Sequence, residues 1–156
     1  MGRFDMNDGQ PFWERKNLSE MNLAEWESLC DGCGRCCTVT IEDEDEPDVL
    51  HETSLCCRLF DPNERRCTRY EQRTDIVPEC VILTPRNVRD LGFMPDTCAY
   101  RLISEGKGLK PWHPLVSGDP KSVERAGVAV PKTLTNETLV DEHELWRHVT
   151  GTRPRR

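Results

Sequence analysis

The stretch Cys30-Asp31-Gly32-Cys33-Gly34-Arg35-Cys36-Cys37 places four thiols within eight residues, with glycines at the positions where the chain must turn. Five more cysteines follow: Cys56, Cys57, Cys67, Cys80 and Cys98. Deprotonated thiols are soft ligands that suit zinc, iron and iron–sulfur clusters. Eight thiolates satisfy two four-coordinate zinc ions, or one iron–sulfur cluster plus one zinc. Nine therefore exceed two such sites by one, and Cys56, next to Cys57, is the candidate for the spare.

A Cys-x2-Cys pair alone is ambiguous, because it also occurs at thioredoxin-like redox sites. Those sit in a βαβ setting that this chain does not suggest. The fuller pattern, Cys-x2-Cys-x2-Cys-Cys with distal cysteines, is more specific. In extended backbone, neighbouring side chains point to opposite sides. On that premise Cys36 and Cys37 serve two metals, or two irons of one cluster. Cys30, Cys33 and Cys36 also match the first three ligands of the bacterial ferredoxin run, but the fourth cysteine with its following proline is missing.

A tetrathiolate zinc site carries a net charge of about −2. Arg35, Arg58, Arg65, Arg66 and Arg69 lie close in sequence to the proposed ligands, and either offset that charge or solvate a surface. His113, between Trp112 and Pro114, is a packing residue, a fourth ligand or a proton shuttle. His143 and His148 are spaced five apart, which does not align two ligands on a helix, so both read as surface residues. His51 reads as solvated. The acid run Glu42-Asp43-Glu44-Asp45-Glu46-Pro47-Asp48 reads as a self-repelling loop, since it lacks the spacing of a calcium loop. No Gly-x-Ser-x-Gly and no P-loop occurs, which removes the commoner hydrolase and NTPase classes without excluding an enzyme.

The elements that position the thiols follow from caps and turns. Residues 1–10 read as a mobile tail, and Pro11-Phe12-Trp13 as an apolar anchor. Asn22 with Glu25 predicts a capping box, opening a helix that puts Leu23, Trp26 and Leu29 or Cys30 on one face and delivers Cys30 from its last turn before Gly32. Thr38–Ile41 reads as a short strand. Two extended pieces flank the Asp61-Pro62-Asn63 turn. Thr84-Pro85 opens a helix stopped by Gly92. Another covers Asp96 to Glu105, with Cys98 in its first turn. Pro111 to Leu115 is extended, Val128 to Val130 is a strand, and Asp141 with Glu144 caps a last helix to Val149. A basic tail covers 150–156. One domain, 11–149, is expected: a small α+β domain of short helices and brief strands with irregular connections, stapled by thiolate-bound metal.

Apolar content is 36% and charged content 31% over 156 residues, so burial alone gives modest stability and metal would add to it. The net charge of −7 argues against nucleic acid as a partner. No stretch approaches a membrane span, and the polar start shows no export signal. The expected compartment is the cytoplasm, where nine thiols point to metal or redox chemistry rather than disulfides. A protein partner is compatible with this and is not specified by the sequence.

On these residues the chain resembles the family named for zinc or iron chelation and marked by a CxxCxxCC motif, and within it the short bacterial YcgN-type cysteine-cluster proteins of uncharacterised function. The resemblance runs from about Pro11 through nearly the whole chain. It includes Ala24-Glu25-Trp26-Glu27-Ser28-Leu29-Cys30-Asp31-Gly32-Cys33-Gly34, Cys36-Cys37, Thr97-Cys98-Ala99-Tyr100-Arg101-Leu102 and Trp112-His113-Pro114-Leu115. It implies eight metal-ligand cysteines: Cys30, Cys33, Cys36, Cys37, Cys57, Cys67, Cys80 and Cys98, with Cys56 outside the pattern. A related cysteine motif in flagellin lysine N-methylases raises methyl transfer, but this chain has no glycine-rich strand-to-helix fingerprint for a nucleotide-like cofactor. Three readings follow. The first is a structural or metal-carrying protein holding zinc or iron. The second is an iron–sulfur protein for electron transfer, redox sensing or a redox-assisted reaction such as protein methylation. The third is a thiol redox protein exchanging disulfides through Cys33 and Cys36.

Overall fold

The computed structural model describes residues 9–155. Residues 1–8 of the expected N-terminal tail and residue 156 lie outside them. The class is α+β, as expected. The helices are short: α1 (Phe12–Arg15), α2 (Leu23–Ser28), α3 (Arg73–Ile76), α4 (Ala99–Ser104), α5 (Pro114–Ser117) and α6 (Ser122–Arg125). The strands are β1 (Thr38–Asp43), β2 (Glu46–Cys56), β3 (Phe60–Asp61), β4 (Arg66–Cys67), β5 (Thr135–Asn136) and β6 (Val149–Pro154). Among the described residues no helix is long and apolar enough to cross a membrane. The chain forms two compact units.

The first unit takes the described part of Met1–Cys33 together with Leu83–Ala129. Its core gathers Phe12, Leu18, Leu29, Val88, Ala99 and Tyr100. The expected apolar anchor is real, since Phe12 is fully buried. The capping box at Asn22 and Glu25 also forms: Glu25 N donates to Asn22 Oδ1 at 2.9 Å, and Asn22 N to Glu25 Oε1 at 3.0 Å. The buried stripe of α2 is different from the expected one. Leu23 is 75% exposed, whereas Glu25 and Leu29, four residues apart, are fully buried. Glu25 tolerates this site because Lys16 Nζ reaches its carboxylate at 2.9 Å.

Three further expectations fail. Thr84 and Asn87 bond each other reciprocally, backbone to side chain, and lead only into a 3-10 turn at Val88–Asp90. Pro111 to Leu115 is not extended throughout: His113 caps α5, with Pro114 at its first position, where a missing N–H costs nothing. Val128 to Val130 forms no strand.

The second unit takes Gly34–Ile82 and the described part of Val130–Arg156. Its centre is β2, an 11-residue strand that the sequence reading missed. On one edge β1 pairs with it antiparallel, with Ile41 opposite His51. On the other edge β6 pairs antiparallel and β5 parallel, with Cys56 opposite Asn136. The acid run is therefore a hairpin, not a loop: it continues β1, turns at Glu44-Asp45 and opens β2. Crossing strands supply cations to it, as Arg155 Nε lies 3.5 Å from Glu42 Oε1. The last helix is a 3-10 helix, Glu142–His148, and residues read as the basic tail form β6.

Candidate metal centre

The motif runs from the first unit into the second. Cys30 follows the end of α2 and is exposed. Gly32, at φ 76°, turns the chain, and Asp31 Oδ1 accepts from Cys33 N at 3.0 Å. Cys98 belongs to the same unit. It is the N-cap residue of α4 rather than part of its first turn, and it packs partly buried against the core.

Gly34 begins the second unit in the left-handed region, at φ 80°. That residue must be glycine for two reasons. A side chain strains this backbone, and a Cβ here would sit 2.7 Å from Phe60 Cζ and 2.7 Å from Val130 Cγ2. Gly34 opens a 3-10 turn, Arg35–Cys37, in which Cys37 N donates to Gly34 O at 3.0 Å. Cys36 and Cys37 therefore do not stand in extended backbone, which removes the premise that they point to opposite sides; neighbours on a 3-10 helix diverge by about 120°.

Backbone hydrogen bonds then draw three further thiol segments together. Cys57 N donates to Cys37 O at 2.8 Å, joining the second cysteine pair to the motif. Phe60 N donates to Cys57 O at 2.9 Å, which turns the chain into β3. Cys67 lies opposite Phe60 on β4, and Thr68 N closes on Leu59 O at 2.7 Å. Cys80 is reached through Arg58, whose guanidinium donates to Ile76 O at 3.3 Å, while Cys80 N donates to Val77 O at 2.9 Å.

The electrostatics record the same proximity. Burial pushes the Cys57 thiol up; Glu137, Cys80 and Cys67 add to this, against a lowering backbone hydrogen bond at Leu59. Burial also pushes Cys80 up. Arg73 opposes it by charge and by a hydrogen bond, while Cys67 and Cys36 raise it further. These like charges disfavour the thiolate forms of Cys57 and Cys80 while no cation neutralises them. A thiol raised by burial and by like charge gains most from a cation that takes the place of its proton. This soft donor set fits zinc or iron.

Cys56 is different. It is 1% exposed at the end of β2, and burial is the main cause of its raised pKa. It behaves as a small buried hydrophobe.

Two of the arginines chosen by nearness in sequence lie beside carboxylates. Arg58 pairs with Glu137 at 2.8 Å, and Arg35 lies 3.9 Å from Glu52. Arg73 is a cation that opposes the rise of the Cys80 thiol. It stacks over the Tyr70 ring at 3.9 Å and donates to Tyr70 O at 2.6 Å. It precedes Cys80 by seven residues, too far for a nearness argument but within reach once α3 folds the chain back.

His113 is buried, and both its nitrogens are engaged. Nδ1 accepts from Leu115 N at 3.0 Å, so Nε2 carries the proton and donates to Leu29 O at 2.8 Å. It is a packing residue that ties α5 to the end of α2. His51 is not solvated: its ring lies 4.9 Å from Trp146, and Nε2 is 3.7 Å from Glu46 Oε1. With Asp43 and Glu46 it forms a set of harder donors, all within 4.8 Å of one another, at the base of the acidic hairpin. His143 is exposed, as expected.

Residues 29–99 match the model of the CxxCxxCC family, described as a "Putative zinc- or iron-chelating domain". The chain is 51% identical over 144 residues to a UPF0260 protein of Rhizobium leguminosarum bv. trifolii, covering 92% of this chain and 89% of the relative. It is 54% identical over 125 residues to one of Rhizorhabdus wittichii, covering 80% and 85%. With one of Cellvibrio japonicus it shares 53% over 129 residues, covering 83% and 87%. No solved structure matches at a significant level.

Proposed function

The chain belongs to the UPF0260 family, and on that footing we propose that it binds zinc or iron through cysteine thiolates. The ligands are Cys30, Cys33, Cys36, Cys37, Cys57, Cys67, Cys80 and Cys98. The observation that carries this is the backbone bonding that sets the Cys57 turn against the motif, Cys57 N donating to Cys37 O at 2.8 Å, and leads it into the strand pair that holds Cys67. Bound metal would supply cross-links between short elements that bury little apolar surface on their own.

The role is that of a cytoplasmic metal-binding protein, compatible with an unidentified protein partner and not directed at nucleic acid or membrane. The net charge of −7 and the nine cysteines support it. An iron–sulfur centre for electron transfer or sensing is the second reading, favoured by the ferredoxin-like spacing of Cys30, Cys33 and Cys36.

The test is an absorption spectrum and acid-labile sulfide content on protein purified without oxygen. Zinc with no sulfide and no visible band supports a structural or carrier role. Iron and sulfide in equal amounts, with a broad band near roughly 400 nm, move the protein to the second reading. Protein with neither metal, whose Cys33 and Cys36 cycle through a disulfide, overturns both.

A further inference from the structure

The acidic hairpin carries a donor set that uses no thiol. We propose that Asp43, Glu46 and His51 form a second metal site, which holds one divalent ion of the iron(II) or manganese(II) class through two carboxylates and an imidazole. The site lies wholly within the second unit and stands independently of the thiolate reading above.

The sheet register builds the set. Ile41 stands opposite His51 and Glu42 opposite Leu50, but Asp43 stands opposite Glu46. The register shift between Glu42 and Asp43 passes over Pro47, Asp48 and Val49, and so returns Glu46 to Asp43. Irregularities of this kind re-aim side chains. Residues two apart on a strand share a face, which puts Asp43 on the face of Ile41 and of its partner His51. The three donor atoms end within 4.8 Å of one another, and His51 Nε2 is 3.7 Å from Glu46 Oε1. Donors bound to one such ion at about 2.1 Å lie about 3.0–3.4 Å apart, so a small side-chain movement closes that edge.

Two observations point to a cation. First, His51 Nε2 is buried and has no hydrogen-bond partner, since 3.7 Å is too long for one. A buried polar atom in that state calls for a partner. The Trp146 ring, 4.9 Å away between centroids, packs against the imidazole and holds it in place. Second, the arginines of this sheet lie beside other carboxylates: Arg155 beside Glu42, Arg153 and Arg35 beside Glu52. Among the described residues no lysine or arginine pairs with Asp43 or Glu46. Asp43 is fixed by its own turn, its Oδ1 accepting from Asp45 N at 2.9 Å, and Glu46 is exposed, which gives an ion access. Carboxylates suit manganese and imidazole suits iron, so the mixed set selects ions between hard and soft. Three protein donors leave coordination positions for water or an oxygen-bearing ligand.

The experiment titrates manganese(II), a poor partner for thiolates, into protein dialysed against citrate. Free ion is counted by electron paramagnetic resonance, and the His51 imidazole is followed by NMR. One equivalent binds, and it broadens the signals of the His51 ring and of the Trp146 indole beside it. Asp43→Asn, Glu46→Gln and His51→Asn each weaken binding by roughly tenfold or more, because even the supporting partner of a metal ligand is worth about that much. Glu44→Gln removes the same charge from the adjoining turn but no donor, and leaves the affinity nearly unchanged.

A loss in Glu44→Gln equal to that in Glu46→Gln would mean diffuse attraction to an acidic hairpin and would overturn the site. So would wild-type protein that takes up no manganese(II), or that binds it without broadening His51. Because His51→Asn can disturb β2, the wild-type spectrum carries the test for that residue. None of these outcomes depends on whether the cysteines hold metal, so failure of the thiolate reading and failure of this site are distinguishable.

Discussion

Replacing Gly34 with alanine should damage this protein far more than replacing Gly32, although both glycines lie in the same motif and share nearly the same backbone, at φ 80° and 76°. Each substitution forces an L-residue into the left-handed region, at a cost of about 1–2 kcal/mol. At Gly32 that is the whole cost, because a new Cβ meets nothing within 4 Å. At Gly34 the Cβ would lie 2.7 Å from both Phe60 and Val130. Phe60 is 5% exposed and has little room to retreat. Forcing a methyl into such packing adds about 1–3 kcal/mol. Urea unfolding of equally metal-loaded proteins should separate the two variants by that second amount. Phe60→Leu should shrink the gap, since it removes the atom being struck. The damage should also reach metal affinity, because the Gly34 carbonyl anchors Cys37 N. Equal stability of the two alanine variants, or a gap that Phe60→Leu leaves untouched, would refute the reasoning.

Three further outcomes are expected. Glu25→Ala should cost about 3 kcal/mol, the low end for breaking a buried pair, because Lys16 keeps 20% exposure and is only partly stranded; Glu25→Gln, which can still accept from Asn22 N, should cost less in the same unfolding assay. Cys56→Ala should leave the metal count unchanged while lowering stability by about 1 kcal/mol, whereas Cys56→Ser should cost more, because it buries a hydroxyl; loss of a metal equivalent in either would make Cys56 a ligand. The Asp119 carboxyl, held below the ordinary range by its hydrogen bond from Arg125 and by Lys121 N, should titrate low by NMR and rise in Arg125→Ala. Its folded value is depressed, so its small stabilising effect is present above the ordinary aspartate range and is lost as pH falls through that depressed value.

What could be read from the sequence was local. The Asn22–Glu25 box, the Asp61 turn and the start of β1 depend on neighbouring residues, and they form as read. The longest strand was missed because Glu46–Cys56 carries acids, a histidine and threonines, and owes its state to β1 and β6 on its two edges. The basic tail was misread for the same reason, since β2 draws residues 149–154 into a sheet. Helix signals at Thr84 and Asp141 stopped at 3-10 turns, where no long apolar stripe sustains them. At the site, the cysteines could be named from spacing and from the resemblance. The bond from Cys57 N to Cys37 O and the pairing of Phe60 with Cys67 arise from contacts between segments apart in sequence.

The most direct measurement is metal content per chain of untagged protein purified without oxygen, set against its count of reactive thiols. Thiolate binding predicts stoichiometric zinc or iron, about two equivalents if all eight ligands hold mononuclear ions, with thiols that become reactive only after a strong chelator removes the metal. Protein without stoichiometric metal, whose thiols react at once or are already paired as disulfides, would contradict the account.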